Sequence, residues 1–313
     1  MKKMVGFILS VLLVSSTLAG CGQNAASGTN SAASGASTAA SKSGAADISG
    51  TITGSGSSAL LPLAQDAAKA FKEKYPNVSI TLNAGGSGDG LKQVSDGSVN
   101  IGNSDVEASS KLTADQAKEL VDHKVCVVTM APIVSKDVGI TNLTKEQLIS
   151  IFTAQITNWK DVGGPDEAIV LVTRPTTSGT RALFTQYALN GNQEASNAAL
   201  ETDNSGTLIK SVQENKGAIG YVALSYLVGD NANQVTAVAI DGAAPTLENT
   251  YNGKYPVWGY EHMYTKGEAT GAVKEYLDFI CSDEYGKKME GLGYGITAKM
   301  DSSVTSSRDA AAK

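Results

Sequence analysis

The segment of this chain best equipped for chemistry is Arg174-Pro175-Thr176-Thr177-Ser178-Gly179-Thr180-Arg181, and the chemistry is that of holding an oxyanion. The apolar run Ile169-Val170-Leu171-Val172 brings the chain to a turn, and Ala182-Leu183-Phe184-Thr185-Gln186-Tyr187 continues at helical spacing. Ser178 is placed to cap that helix. The free N–H groups of Gly179, Thr180 and Arg181 then face outward at the positive end of the helix dipole. Arg174, just upstream, adds a permanently charged fork of donors. No base stands beside the serine, so the segment suits binding rather than cleavage.

Two further serines share that setting. Ser58, in Gly54-Ser55-Gly56-Ser57-Ser58, and Ser87, in Gly85-Gly86-Ser87-Gly88, each follow a strand-like run and precede a helix-like one. Singly, each is a plain helix cap. Together they would aim several helix N-termini at one cleft, since ligands collect at the carboxyl ends of strands in open α/β sheets. Asp105 follows another strand-like run, Val99 to Gly102, and a carboxylate repels an anion unless that anion brings a proton. Ionised aspartate accepts a hydrogen bond from protonated phosphate, whereas sulfate offers only repulsion. Asp105's alternative role is to cap a turn near Ser109.

Other patterns carry less. Gly54-Ser55-Gly56-Ser57-Ser58-Ala59 fits a dinucleotide fingerprint, but Glu73 lies in a helix rather than at the end of a second strand. Ser205-Gly206-Thr207 repeats the triplet of the clamp without an upstream arginine and is expected to be a helix cap. Tyr251, Tyr255, Trp258, Tyr260 and Tyr264 read as core or hinge packing. His123 and His262 are the only histidines and Cys126 and Cys281 lie in apolar runs as buried small side chains, so no metal or cofactor is expected. A Cys126–Cys281 disulfide stays open. A formal net charge of −6 argues against nucleic acid as partner and requires any anion site to be local.

The elements that must position these residues alternate strand and helix, which gives an α/β chain with parallel sheets long enough for two lobes. Lobe 1 is expected over residues 47–132 and 253–300, lobe 2 over 133–252, and a loose tail over 301–313, with crossovers near Ala131 to Ser135 and Asn249 to Val257. Ahead of them, Lys2 and Lys3 precede an apolar run closing with Leu18-Ala19-Gly20-Cys21. Residues 1–20 are thus expected to be a signal peptide, with Cys21 the lipidated first residue of an exported protein anchored to the cell membrane. Residues 21–46, nearly all Gly, Ala, Ser, Thr and Asn, form a flexible tether.

In these motifs the chain resembles the PstS-type phosphate-binding lipoproteins of phosphate ABC importers. The resemblance covers about Ile48 to Glu290 and is carried by Gly54-Ser55-Gly56-Ser57-Ser58 with Pro62, Gly86-Ser87-Gly88 before Leu91-Lys92-Gln93, Ser104-Asp105, Arg174 with Ser178-Gly179-Thr180, and Gly217-Ala218-Ile219-Gly220-Tyr221. It implies a two-lobed periplasmic-binding-protein-like fold of type II, and a monomer that is not an enzyme. It implies a phosphate shell of Ser58, the Ala59 backbone N–H, Ser87 and Asp105 from one lobe, with Arg174, Ser178, Gly179 and Thr180 from the other. Partners would be inorganic phosphate and the permease and ATPase subunits of the importer. Relatives often carry threonine where this chain has Ser58, and a bulkier residue at Ala59. Rival readings keep the fold and change the anion to sulfate, molybdate or phosphonate, turn binding toward sensing, or make a glycine-flanked serine the nucleophile of a secreted phosphatase, which lacks a paired base.

Overall fold

Glycine-flanked, β-rich runs alternating with helix-period runs give mixed α/β structure, seen in a computed structural model that describes residues 48–196, 200–229 and 232–311. The expected leader, Cys21 and the tether lie outside the described residues. The first elements are β1 (Gly50–Gly56), α1 (Leu61–Lys74), β2 (Val78–Ala84), α2 (Ser87–Asp96), β3 (Ile101–Ser104) and α3 (Ala114–Lys118). The middle of the chain supplies β4 (Leu120–Val134), β5 (Asn142–Leu143), α4 (Lys145–Phe152), β6 (Val170–Thr173), α5 (Gly179–Tyr187), β7 (Leu200–Glu201), α6 (Ser205–Glu214) and β8 (Ala218–Ala223). The last elements are β9 (Thr236–Ala237), β10 (Ala239–Ile240), α7 (Leu247–Tyr251), β11 (Trp258–Lys266), α8 (Gly271–Ile280), α9 (Asp283–Gly286) and α10 (Ser302–Ala311).

The main sheet runs β2-β1-β3-β11-β4-β8-β6-β7, with β9 also on β4. Its two wings are parallel, β1 with β2 and β3, and β6 with β8 and β7. Between them β11 and β4 run antiparallel to their neighbours. Strand β4 is the shared girder: up to Thr129 it pairs with β11, and from Met130 onward with β8. Its buried run Val125 to Val134 is nearly all apolar, as a strand covered on both faces requires.

Each wing has its own core. Ile52, Leu63, Phe71, Ile101, Tyr276 and Ile280 pack on the first wing, and Leu148, Phe152, Trp159, Phe184, Ile219 and Tyr221 on the second. Burying each of the large side chains contributes about 1.5–3 kcal/mol. This is the two-lobed α/β architecture expected from the element order. Thr113 and Thr144 form capping boxes with Gln116 and Gln147, which sets the starts of α3 and α4. Tyr255, fully buried, donates from its hydroxyl to Met130 O at 2.8 Å, just where β4 changes partner.

Two local expectations are corrected. The loose tail is a helix over Ser302–Ala311, because Asp301 Oδ1 accepts from Ser303 N at 2.8 Å at its start. Further along, the Arg308 guanidinium lies 3.4 Å from the Tyr187 ring and 4.1 Å from that of Trp258. Cys126 is buried, but Cys281 is exposed at the end of α8, and both are free thiols.

Candidate anion-binding site

The chain leaves β1, β2, β3, β6 and β7 at their carboxyl ends in polar turns, and these turns meet. After β1, Ser57 accepts from Leu60 N at 3.0 Å to start α1, which leaves Ser58 free of capping duty. After β2, Gly86 adopts φ +92°, and Ser87 opens α2. An added Cβ at Gly86 would lie 1.8 Å from Asp203 Oδ2, so only glycine suits this place. After β6, Ser178 caps α5 by accepting from Arg181 N at 3.3 Å, as its sequence setting implies. Gly88 N donates to Thr177 O at 3.0 Å, holding the second and third turns together.

Arg174 sits at the centre with none of its surface exposed. Its Nη2 donates to Ser205 Oγ at 2.9 Å and its Nη1 to Asp203 O at 3.2 Å, with Ser58 Oγ at 3.4 Å. Among the described residues, the carboxylate paired with it is Asp203, at 3.6 Å, and Nε is buried without an acceptor. Burial pushes the Asp203 carboxyl up, against the lowering effects of the Ser178 hydroxyl and of Arg174. Both charges therefore share a dry environment, which is costly unless further polar partners are supplied.

All eight candidate ligand residues come together here. Ser58, Ala59, Ser87, Asp105, Arg174, Ser178 and Thr180 are all buried, and Gly179 packs so closely that an added Cβ would stand 2.2 Å from Ser87 Oγ. Asp105 does not cap a turn at Ser109. It accepts from Thr180 Oγ1 at 2.6 Å through Oδ2, and its N–H donates to Ser87 Oγ at 3.0 Å. Ala59 O accepts from the Tyr294 hydroxyl at 2.5 Å and faces Ser225 Oγ at 3.4 Å. Arg181 turns away toward Glu194, 3.5 Å from Nε, and donates from Nη1 to Arg174 O. It braces the clamp from behind.

Sequence reasoning missed four contributors. Ser205, expected to be a cap, is the first residue of α6, and Asn204 does the capping by accepting from Thr207 N at 2.9 Å. That frees the Ser205 hydroxyl for Arg174 and for Ser58 Oγ, 3.0 Å away. The repeated Ser-Gly-Thr triplet was the available signal. Asp203 and Tyr226, whose hydroxyl donates to Ser58 O at 2.8 Å, had no signal in local spacing. Glu261 is buried among aromatic residues of β11 and faces Asp105 and Ser57, and its one signal is a carboxylate inside an otherwise buried strand.

Residues 30–284 match the model of the PBP superfamily domain. The chain is 50% identical over 240 residues to the phosphate-binding protein PstS of Bacillus subtilis, which covers 77% of this chain and 78% of the relative. Among solved structures, one from Clostridium perfringens, assigned as a phosphate ABC transporter substrate-binding protein and holding bound phosphate, has a TM-score of 0.72 and 32% identity, covering 79% of this chain and all of the other. An ABC-type phosphate transport receptor from Vibrio cholerae follows with a TM-score of 0.61 and 27% identity, covering 78% of this chain and 99% of the other. By this family match, the relationship to PstS and a shared two-lobed fold, the chain belongs to the PstS-type phosphate-binding proteins of the PBP superfamily.

Proposed function

We propose that this chain binds inorganic phosphate outside the cytoplasmic membrane and delivers it to the permease and ATPase subunits of an ABC importer. The observation that carries the reading is Arg174: a guanidinium fully buried where several helix N-termini converge, partnered mainly by hydroxyls and carbonyls, with Nε lacking an acceptor. A compact oxyanion supplies the further acceptors that this buried arginine lacks. Asp105 restricts the choice to an anion carrying a proton, because its Oδ2 can accept from a ligand hydroxyl beside Thr180. Ser58, Ala59, Ser87 and Asp105 form one jaw, and Arg174, Ser178, Gly179 and Thr180 the other. Lobe 1 spans 47–132 and 253–300 and lobe 2 spans 133–252. The hinge lies where β4 changes partner beside Tyr255.

The protein acts by binding alone, as a monomer without cofactor. Its site serines contact the backbone, each other, Arg174 and carboxylates, while His123 bonds Thr265 Oγ1 and His262 bonds Asp122. A signal peptide over residues 1–20 and lipidation at Cys21 would hold it at the membrane surface through the 21–46 tether. Calorimetry on the chain lacking its first 21 residues tests the reading. Phosphate is expected to bind, and sulfate at least about a hundredfold more weakly, since the penalty of an unpaired buried acceptor falls on sulfate. Absence of phosphate binding, or equal affinity for sulfate, would sink it.

A further inference from the structure

Glu261 stands in the middle of β11 with none of its surface exposed. The strand bulges between Glu261 and His262, and bulges re-aim side chains. Neither carboxyl oxygen has a donor at normal hydrogen-bond length, and Asp105 Oδ1 is also buried without one. The polar groups that face Glu261 are the Asp105 carboxyl and the Ser57 hydroxyl. Its other titratable neighbours are Cys126 on β4, Tyr226 and Tyr294, and among the described residues no cation pairs with it. Two ionised carboxylates side by side in a dry site repel each other, so the pair keeps a proton. Asp105 already has the Thr180 hydroxyl to stabilise its charge, at 2.6 Å. Burial first, and then the Asp105 charge, push the Glu261 carboxyl well above the usual range.

We propose that Glu261 is a protonated positioning residue for anion selectivity, donating a hydrogen bond to Asp105 Oδ1 and so fixing that carboxyl group in place as an acceptor. A donor on Oδ1 satisfies that buried oxygen and leaves Oδ2, with its second lone pair, for the hydroxyl of the anion. Without that donor, Asp105 Oδ1 is left a buried, unpaired acceptor, and the carboxylate is no longer held in place to discriminate against sulfate. The inference rests on the phosphate-binding reading, which the wild-type titration decides separately.

The test compares wild type, Glu261→Gln and Glu261→Leu by calorimetry with phosphate and with sulfate from about pH 6 to about pH 8.5. Glutamine keeps a donor, so Glu261→Gln is expected within about threefold of wild type at every pH, with the two profiles coinciding. Glu261→Leu is expected to lose about 10–100-fold in phosphate affinity and to narrow the phosphate-over-sulfate ratio. Profiles that diverge with pH, or a Glu261→Gln chain that binds about tenfold tighter, would mean an ionised Glu261 and would overturn the proposal. So would a Glu261→Leu chain matching Glu261→Gln. Should the leucine chain fail to fold, infrared spectroscopy decides: the difference spectrum of wild type minus Glu261→Gln at neutral pH must contain the carbonyl band of a buried carboxylic acid, over and above that of Glu194. That band also judges Glu261 even if wild type binds no phosphate, in which case the ligand assignment alone falls.

Discussion

At the scale of single residues, the site turns on how Arg174 is neutralised. Its donors engage Ser205, Asp203 and Ser58 in a planar fork that an ammonium cannot reproduce. Arg174→Ala leaves the Asp203 carboxylate buried without its cation, and phosphate affinity is expected to fall at least about a hundredfold in calorimetry. A loss within about twofold would remove Arg174 from the site. Arg174→Lys keeps charge but not geometry and should fall between wild type and alanine. Asp105→Asn replaces a pure acceptor with a group that also donates. Sulfate binding should then rise relative to phosphate, and the pH dependence of phosphate affinity should change. An unaltered profile and ratio would show that Asp105 does not accept the anion's proton.

At the scale of elements, the site is a meeting of helix starts, and its tightest joint is Gly179 at the start of α5 against Ser87 at the start of α2. An added Cβ at Gly179 would lie 2.2 Å from Ser87 Oγ and 3.0 Å from Asp105 Cβ, both on the opposite wing of the sheet. Gly179→Ala therefore obstructs closure while improving intrinsic helix propensity by up to about 1 kcal/mol. The melting temperature without phosphate is expected to hold or rise slightly, and the increase on adding phosphate to shrink. An undiminished ligand-induced shift would show that the two helix starts need not close to this distance. The same helix carries Leu183 and Phe184 into the second core, so the jaw and its support are one rigid element.

At the scale of the whole molecule, stability should depend on pH through Glu194. Its carboxyl is pushed up to about 7, first by burial and against the pull of Arg181 and the Tyr221 hydroxyl. The folded state thus binds this proton more tightly than the unfolded chain. The associated stability is complete below the unfolded value near 4.5 and is lost as pH rises to about 7. The full effect is roughly 3 kcal/mol, since each unit is worth about 1.4 kcal/mol. Chemical denaturation between about pH 4.5 and 7.5 should show this decline superimposed on the rest of the titration, and Glu194→Gln should flatten it. An unchanged slope in the glutamine chain would mean that Glu194 is ionised throughout. On the proposed function, added phosphate should oppose unfolding at every pH by mass action, as a ligand of the folded state does.

Local chemistry made half of this protein legible in its sequence. A strand, a glycine turn, a capping serine and a helix-period run are all set within a dozen or so residues, so the starts of α2 and α5 and the capping by Ser178 could be read directly. The same locality explains the errors. Ser205 looked like a cap because sequence could not show that Asn204 takes that duty, and Ser302 to Ala311 looked loose because its docking depends on Arg308 reaching Tyr187 and Trp258. Only the tertiary structure decided which carboxylate accompanies Arg174, that β4 serves both lobes, and that Glu261 lies beside Asp105. Each of those depends on chain segments far apart in sequence meeting in space, and burial, which governs charge and protonation, exists only once they have met.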